Sequence, residues 1–264
     1  MQGRVLIVAG SDSGGGAGIQ ADIKAVTMLG GFAATAITAL TAQNTLGVHG
    51  ILGIDPGFIR QQMQVVLRDI GADCLKTGML HSAEVIETVA ATIAEEAAGM
   101  KLVVDPVMVA KGGAALLQDS AASALIALMV PRATVLTPNL PEAEALTGLK
   151  VADLDGMRRA AAALLKLGPK AVLVKGGHLD GPVLFDLLLT ADGETVFESR
   201  RIETSHTHGT GCTLASAIAT GLAQGMDVAA AVARARDYVH RAIATAPGLG
   251  HGHGPLNHGH PLDR

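Results

Sequence analysis

Residues 4–29 read RVLIVAGSDSGGGAGIQADIKAVTML. The first six form a short, continuous apolar run, which predicts a strand buried on both faces. Glycine-rich SDSGGGAG follows, and helical spacing takes over across residues 17–29. A buried strand, a glycine turn and a covering helix make the first half of an α/β unit, and the rest of the chain repeats that alternation. Residues 32–40 predict a second strand. Asp55-Pro56 supplies a cap and a first-turn proline ahead of Ile59, Met63, Val66, Leu67 and Ile70 at helical spacing. Further strands are expected at 74–77, 102–104, 134–137 and 171–174, with helices opened by Ser82 and Asp153 between them. Residues 183–189 and 194–198, joined through Asp192-Gly193, predict an antiparallel hairpin. Helices at 212–224 and 227–245 precede a Gly/His-rich tail, 248–264.

This pattern predicts an α/β fold: one doubly wound, mostly parallel sheet with helices on both faces and a small antiparallel hairpin. No low-complexity linker or internal repeat divides the chain, so a single domain over 1–264 is expected. Ligands of such a sheet sit beyond the carboxyl ends of its strands. The unusual segments SDSGGGAGIQAD, TAQNT, TGML, DPVMVAKG, TPNLPEAE and KGGH nearly all fall just after a predicted strand.

Composition sets outer bounds. The 264 residues carry 20 Lys+Arg against 24 Asp+Glu, a net charge of −4, and 49% are hydrophobic, which excludes disordered and fibrous classes. Only 2% are aromatic and none is Trp, so the core must be built from Ala, Val, Leu and Ile. The acidic balance, without Arg interleaved with aromatics, disfavours a nucleic-acid partner. Cys74 and Cys212, far apart, suggest reduced intracellular thiols rather than a disulfide framework. The N-terminal apolar run is too short for a signal segment, and no stretch reaches the roughly 18 residues of a membrane span. A soluble cytoplasmic protein with no membrane partner is expected.

Each candidate functional residue carries a plainer alternative. SDSGGGAG, entering a helix, offers backbone N–H groups to an anion, or is a flexible turn. It is neither a dinucleotide fingerprint nor a Walker loop. Asp22, one turn beyond Gly18, either aims a carboxylate at the pocket or stands as a solvated charge. Gln43 presents a donor and an acceptor on one amide, which suits the edge of an aminopyrimidine, or bonds to the backbone of its own loop. Met79 floors a flat ring or belongs to the core. Asp105 and the Asn139/Glu142 pair offer oxygens to a hard divalent cation, or cap turns. Lys175, ending an apolar strand, reaches a nucleotide phosphate or lies on the surface. The sharpest signal is Thr207-His208-Gly209-Thr210-Gly211-Cys212 before an apolar helix. Successive N–H groups there suit a transferring phosphoryl group, and the helix dipole is expected to lower the pKa of Cys212, making it a base or nucleophile. Cys74, within a strand pattern, is expected to be an inert core residue. His251, His253, His258 and His260 suggest metal, close packing over the sheet edge, or a mobile end.

The segments AGSDSGGGAGIQAD, ITALTAQNT, KTGML, DPVMVAKGG, LTPNLPEAE, VKGGH, THGTGCT and GHGHGP, in this order over nearly the whole chain, resemble the hydroxymethylpyrimidine/phosphomethylpyrimidine kinases of thiamine biosynthesis, within the ribokinase-like superfamily. The resemblance implies an ATP- and Mg2+-dependent enzyme that phosphorylates 4-amino-5-hydroxymethyl-2-methylpyrimidine and then its monophosphate to the diphosphate. It implies that Gln43 binds the aminopyrimidine, with Asp22, Met79, Gly10 and Val107 in the same pocket. Cys212 would be the base, and the amides of Gly209, Thr210, Gly211 and Cys212 the anion hole. Lys175, Asn139, Glu142 and Asp105 would serve the nucleotide phosphates, with Glu142 and Asp105 also meeting magnesium. A homodimer is implied, with the 183–198 hairpin region as its expected interface.

Most of that superfamily carries Asp at the place of Cys212; cysteine is typical of this branch. The chain departs at Lys111-Gly112-Gly113-Ala114, where relatives often carry Ser and an acidic residue, which puts a phosphate or metal role for this loop in doubt. The β lid that larger sugar kinases add near the N-terminus is not expected after the first strand. Three rivals remain: a pyridoxal kinase of the same fold, a Cys212-dependent hydrolase using His206 or His208, and a non-catalytic pyrimidine-binding protein. Activity without nucleotide or magnesium would favour the hydrolase. Turnover of pyridoxal alone would favour the first.

Overall fold

In the computed structural model, which describes residues 2–108 and 119–262, the chain opens with the expected strand, glycine loop and helix. β1 (Arg4–Ala9) pairs in parallel with β2 (Phe32–Ile37). β3 (Ala39–Asn44) and β4 (Gly47–Gly53) form a separate antiparallel ribbon. β5 (Cys74–Thr77) returns to the other side of β1, and β6 (Lys101–Val104), β7 (Val135–Leu136) and β8 (Ala171–Lys175) extend the parallel run. β9 (Val183–Thr190) and β10 (Gly193–Arg200) finish it antiparallel, where the hairpin was expected. The order β10-β9-β8-β7-β6-β5-β1-β2 reverses direction between β1 and β5. A ligand crevice belongs at that switch point. The Lys111-Gly112-Gly113-Ala114 stretch lies outside the described residues.

Side chains alternate between two cores because a strand has a period of two. Val5, Ile7 and Ala9 of β1 pack beneath α1 (Gly18–Met28). Leu6 and Val8 face the opposite layer: α2 (Pro56–Asp69), α3 (Ala83–Glu96), α4 (Asp119–Ala124), α5 (Leu140–Thr147) and α6 (Leu154–Leu165). α7 (Thr210–Ala223) and α8 (Val228–Ala244) join α1 on the first face. The central strands are therefore mostly apolar on both faces, as RVLIVA already suggests. Asp55, Ser82, Asn139, Asp153 and Asp227 each accept a first-turn N–H of their helix, contributing about 1 kcal/mol apiece. Neither α1 nor α7 has a side-chain cap. Among the described residues, no helix is long and apolar enough to cross a membrane.

Two expectations change. The strand predicted over 32–40 ends at Ile37, and TAQNT is strand, not loop: β3 carries it into the ribbon with β4. The sequence hides this ribbon because its strands are rich in Ala and Gly rather than β-branched residues. The C-terminal tail is closely packed, one of its expected readings. It docks on the turn of the ribbon, where Thr45 O accepts the His253 N–H at 2.9 Å, and Gly254 O accepts the N–H of His208 at 3.1 Å. His258 is buried, 3.0 Å from Thr213 Oγ1, and His260 packs on the Tyr238 ring. The tail's glycines follow from this docking. A Cβ on Gly252 would lie 2.2 Å from Thr45 O. Gly252→Ala is therefore expected to cost about 1–3 kcal/mol through overpacking. Urea unfolding measures the loss; an unchanged midpoint would mean the tail contributes nothing to stability.

Candidate active site

The first turn of α7 meets the glycine loop backbone to backbone. Gly209, the N-cap, adopts φ 83°, and a Cβ there would lie 1.8 Å from Gly16 O. Only glycine permits both the left-handed backbone and the approach. Because nothing caps α7, its leading N–H groups point into the space between the strands' carboxyl ends, carrying the positive end of the helix dipole. Of the expected anion hole of Gly209, Thr210, Gly211 and Cys212, the Thr210 N–H already donates to Thr207 O at 3.4 Å.

The glycine loop itself has a different role from the one expected. Its N–H groups are already committed to Asp12: Gly14 donates to Oδ1 at 2.8 Å, while Gly16 and Ala17 donate to Oδ2 at 3.0 and 2.8 Å. Asp12, 1% exposed, also lies 2.8 Å from His208 Nε2. Burial alone raises its carboxyl, but the bonds from His208 and Ala17 outweigh that and hold it below the usual range. The loop thus surrounds an internal carboxylate instead of presenting a free nest for an anion. Neither Asp12 nor its tie to His208 was singled out in the sequence; an Asp among serines and glycines reads as a turn residue.

Gln43 stands next to this pair, at the register shift between Ala42 and Gln43 in β3. Its Nε2 lies 3.3 Å from His208 Nε2, and its Oε1 accepts from Thr41 Oγ1 at 3.3 Å. The amide is held by side chains, not by its own loop's backbone. Met79 is buried against Gly10, where a Cβ would meet its Cε at 2.5 Å. Thr38 Oγ1 donates to Met79 O at 2.6 Å, so the two segments are bound together across the switch point. Val107, half-buried, donates its N–H to Asp105 O at 2.8 Å.

Lys175 and the acidic residues form a second group. Lys175 is not a surface lysine: its side chain is 14% exposed, and Nζ lies 3.0 Å from Asp105 Oδ1 and 3.9 Å from Glu142 Oε2. Thr137 Oγ1 donates to Asp105 Oδ1 at 3.1 Å. Asn139 and Glu142 form a reciprocal capping box, with the Asn139 N–H on Glu142 Oε2 at 2.7 Å and the Glu142 N–H on Asn139 Oδ1 at 2.9 Å. Burial pushes the Glu142 carboxyl up to about 7, although Lys175 opposes the rise. Two buried carboxylates against one ammonium leave a deficit of positive charge, which suits a divalent cation. Among the described residues, no group of three or more His, Cys, Asp or Glu is placed to hold a metal by itself. Remaining ligands would have to come from phosphate and water.

Gly211 joins the two groups, since a Cβ there would stand 3.3 Å from Lys175 Nζ and 3.7 Å from Asp105 Oδ2. Cys212 follows it and is half-buried, and the Gly18 N–H at the start of α1 favours its charged form. Contrary to the expected lowering by the helix dipole, burial pushes this thiol up to about 12. Desolvation of the thiolate, with Asp22 and Asp105 nearby, outweighs the attraction of Lys76. Cys74 is fully buried and its thiol is likewise pushed up to about 12, as an inert core residue should be. Asp22 is no solvated charge: it is fully buried, with Lys76 Nζ 2.9 Å from both oxygens and Ser216 Oγ donating to Oδ1 at 2.7 Å. Lys76 was not singled out either. The available signal was a lysine inside the four-residue buried strand CLKT, which demands an internal counter-charge. His208, offered as a partner for the thiol, is instead engaged by Asp12.

Residues 12–257 match the model of a family described as phosphomethylpyrimidine kinase. The chain is 54% identical over 257 residues to the thiamine biosynthesis bifunctional protein ThiED of Geobacter sulfurreducens, covering 97% of this chain and 52% of that protein, about half its length. It is 46% identical over 256 residues to the hydroxymethylpyrimidine/phosphomethylpyrimidine kinase of Bacillus subtilis, covering 97% of this chain and 94% of the relative. An ADP complex of Bacillus subtilis pyridoxal kinase superposes with a TM-score of 0.91 at 35% identity, covering 100% of both chains. The family match spans most of the chain and the relative is covered almost end to end, so the chain belongs to the phosphomethylpyrimidine kinase family.

Proposed function

We propose that residues 1–264 work as one ATP- and Mg2+-dependent kinase domain. It phosphorylates 4-amino-5-hydroxymethyl-2-methylpyrimidine and then its monophosphate to the diphosphate. The observation that carries this reading is the convergence at α7: the Gln43 amide reached through His208, the Cys212 thiol, and the Lys175–Asp105 pair beside Gly211. Identity of 46–54% to thiamine-biosynthesis proteins supports the pyrimidine over pyridoxal as acceptor, while the ADP-bound neighbour supports nucleotide use.

Gln43 reads the aminopyrimidine edge, with Met79, Gly10 and Val107 against the ring and Asp22 supporting the pocket from beneath through Lys76. Cys212 accepts the proton of the hydroxymethyl group. The N–H groups at the start of α7 stabilise charge developing on the transferred phosphoryl group; donors of this kind are worth about 10²–10³ in rate. Lys175 and Asn139 serve the nucleotide phosphates, and Asp105 and Glu142 would hold the magnesium ion. When bound, that ion offsets phosphate charge; the protein's own task is positioning and charge stabilisation. The working form is a cytoplasmic homodimer, for which the exposed outer edge of β10 is the supporting feature.

A coupled assay of nucleoside-triphosphate consumption, with products identified by mass, tests the reading. It compares the hydroxymethylpyrimidine, its monophosphate and pyridoxal. Diphosphate formed from the first two is expected; turnover of pyridoxal alone would replace the substrate assignment while keeping the nucleotide site. Cys212→Ala is expected to lower kcat by about 10²–10⁴ while leaving the nucleotide KM within about threefold. Undiminished turnover would remove the thiol from the mechanism. Gln43→Ala should raise the pyrimidine KM by about 10–100-fold, from the loss of one to two hydrogen bonds, with little change for the nucleotide. Equal changes in both would make Gln43 a support of the fold only.

A further inference from the structure

Cys212 and Ser216 stand one turn apart on α7, and Gly18 and Asp22 one turn apart on α1. The two helices face each other through these four positions. The Gly18 N–H favours a charged Cys212 sulfur at the outer level, and Ser216 donates to Asp22 at 2.7 Å one turn further in. Lys76 enters that inner level from β5 and bonds both Asp22 oxygens at 2.9 Å. Packing alone does not require an ion pair here, because a neutral pair of similar volume would avoid the desolvation of two charges. The ammonium has three N–H groups. Two go to Asp22, and the third has no protein acceptor among the described residues. Gly78 keeps that side of the ammonium open, since a Cβ there would lie 3.0 Å from Nζ.

We propose that Lys76 is a positioning residue for phosphoryl transfer: held by Asp22 and Ser216 one helical turn beneath Cys212, it is the cation against which the sulfur ionises. This rests on Cys212 being the base of the kinase reaction. The sulfur first loses its proton to solvent. In the transfer step the hydroxymethyl O–H breaks, the proton passes to sulfur, the oxygen bonds to phosphorus, and the bond to the nucleoside diphosphate breaks. Four charged groups face the sulfur. Lys76 from β5 exerts the strongest favourable pull, Asp22 on α1 and Asp105 beyond β6 oppose it, and Lys175 on β8 is itself held charged partly by Cys212. Asp22 therefore has two opposed effects: it anchors the lysine and tempers its field.

Opposite signs make the assignment testable. Alkylation of Cys212 by iodoacetamide at one fixed, mildly alkaline pH, followed on its own peptide by mass spectrometry, reads the sulfur's charge without turnover. Cys74, fully buried, is the internal control. Lys76→Met is expected to slow the reaction about tenfold, about one pKa unit, and Asp22→Asn to speed it by a smaller factor of about two to three. The double variant Lys76→Met/Asp22→Asn removes both charges, so it keeps the core neutral and is expected to fold. Because the pull of Lys76 exceeds the opposition of Asp22, it should alkylate about three- to fivefold more slowly than wild type and lose kcat by about the same factor, with the nucleotide KM held within about threefold. Single variants whose rates move the same way, or a double variant restored to wild-type kcat, would overturn the assignment and leave Lys76 a packing residue. If the wild-type enzyme does not phosphorylate the hydroxymethylpyrimidine while the alkylation rates still move in opposite directions, Lys76 stands as counter-ion of the thiolate and the kinase reading fails.

Discussion

The backbones of Gly16 and Gly209 touch without side chains between them, and the geometry of the site follows from that contact. A Cβ on Gly209 would lie 1.8 Å from the carbonyl oxygen of Gly16, so the start of α7 sits directly on the loop that leads into α1. Both helices begin without a side-chain cap, and both begin above the switch point of the sheet. Five other helices in the chain are capped by Asp, Ser or Asn. Leaving α7 uncapped forgoes about 1 kcal/mol and keeps its positive end open, whereas the N–H groups entering α1 go to Asp12 and to Gly10 O.

Around this contact the charges are sorted into three internal groups. Asp12 gathers the glycine-loop N–H groups and His208, which fixes the loop and sets one side of the Gln43 amide. Asp22 and Lys76 pair in the fully buried layer beneath Cys212. Lys175 stands between Asp105 and Glu142 at the outer side of Gly211. In a chain that is 49% hydrophobic and 17% charged, buried charge at this density is concentrated at one end of the sheet. Each group pairs residues far apart in the sequence, such as Asp12 with His208 and Asp22 with Lys76. The strands and helices must therefore reach their final register before any of these charges is neutralised.

The sheet was legible because its signals are local. RVLIVA, CLKT, KLVV and AVLVK are short and apolar, and Asp55, Ser82, Asn139, Asp153 and Asp227 mark helix starts within three residues of the N–H groups they accept. The β3–β4 ribbon was not, since Ala and Gly carry little strand preference and its pairing is decided by docking near Ser11, Thr41 and the tail. Of the candidate site residues, Gln43, Cys212, Lys175, Asp105 and Glu142 were singled out by their positions after strands or before a helix. Asp12 and Lys76 escaped because a single Asp in a glycine loop and a single Lys in a strand have common, unremarked alternatives.

Sequence alone determined the α/β alternation, the two-sided burial of the strands, the THGTGCT helix start, and the membership of motifs in one edge of the sheet. These depend on periodicity and on neighbours within a few positions. Tertiary structure alone decided that the glycine loop encloses Asp12, that burial raises the Cys212 thiol instead of the dipole lowering it, and that Lys76 lies beneath that thiol. A helix dipole can be read from a string of residues, whereas desolvation and the nearest counter-charge depend on which distant segments exclude water around a group.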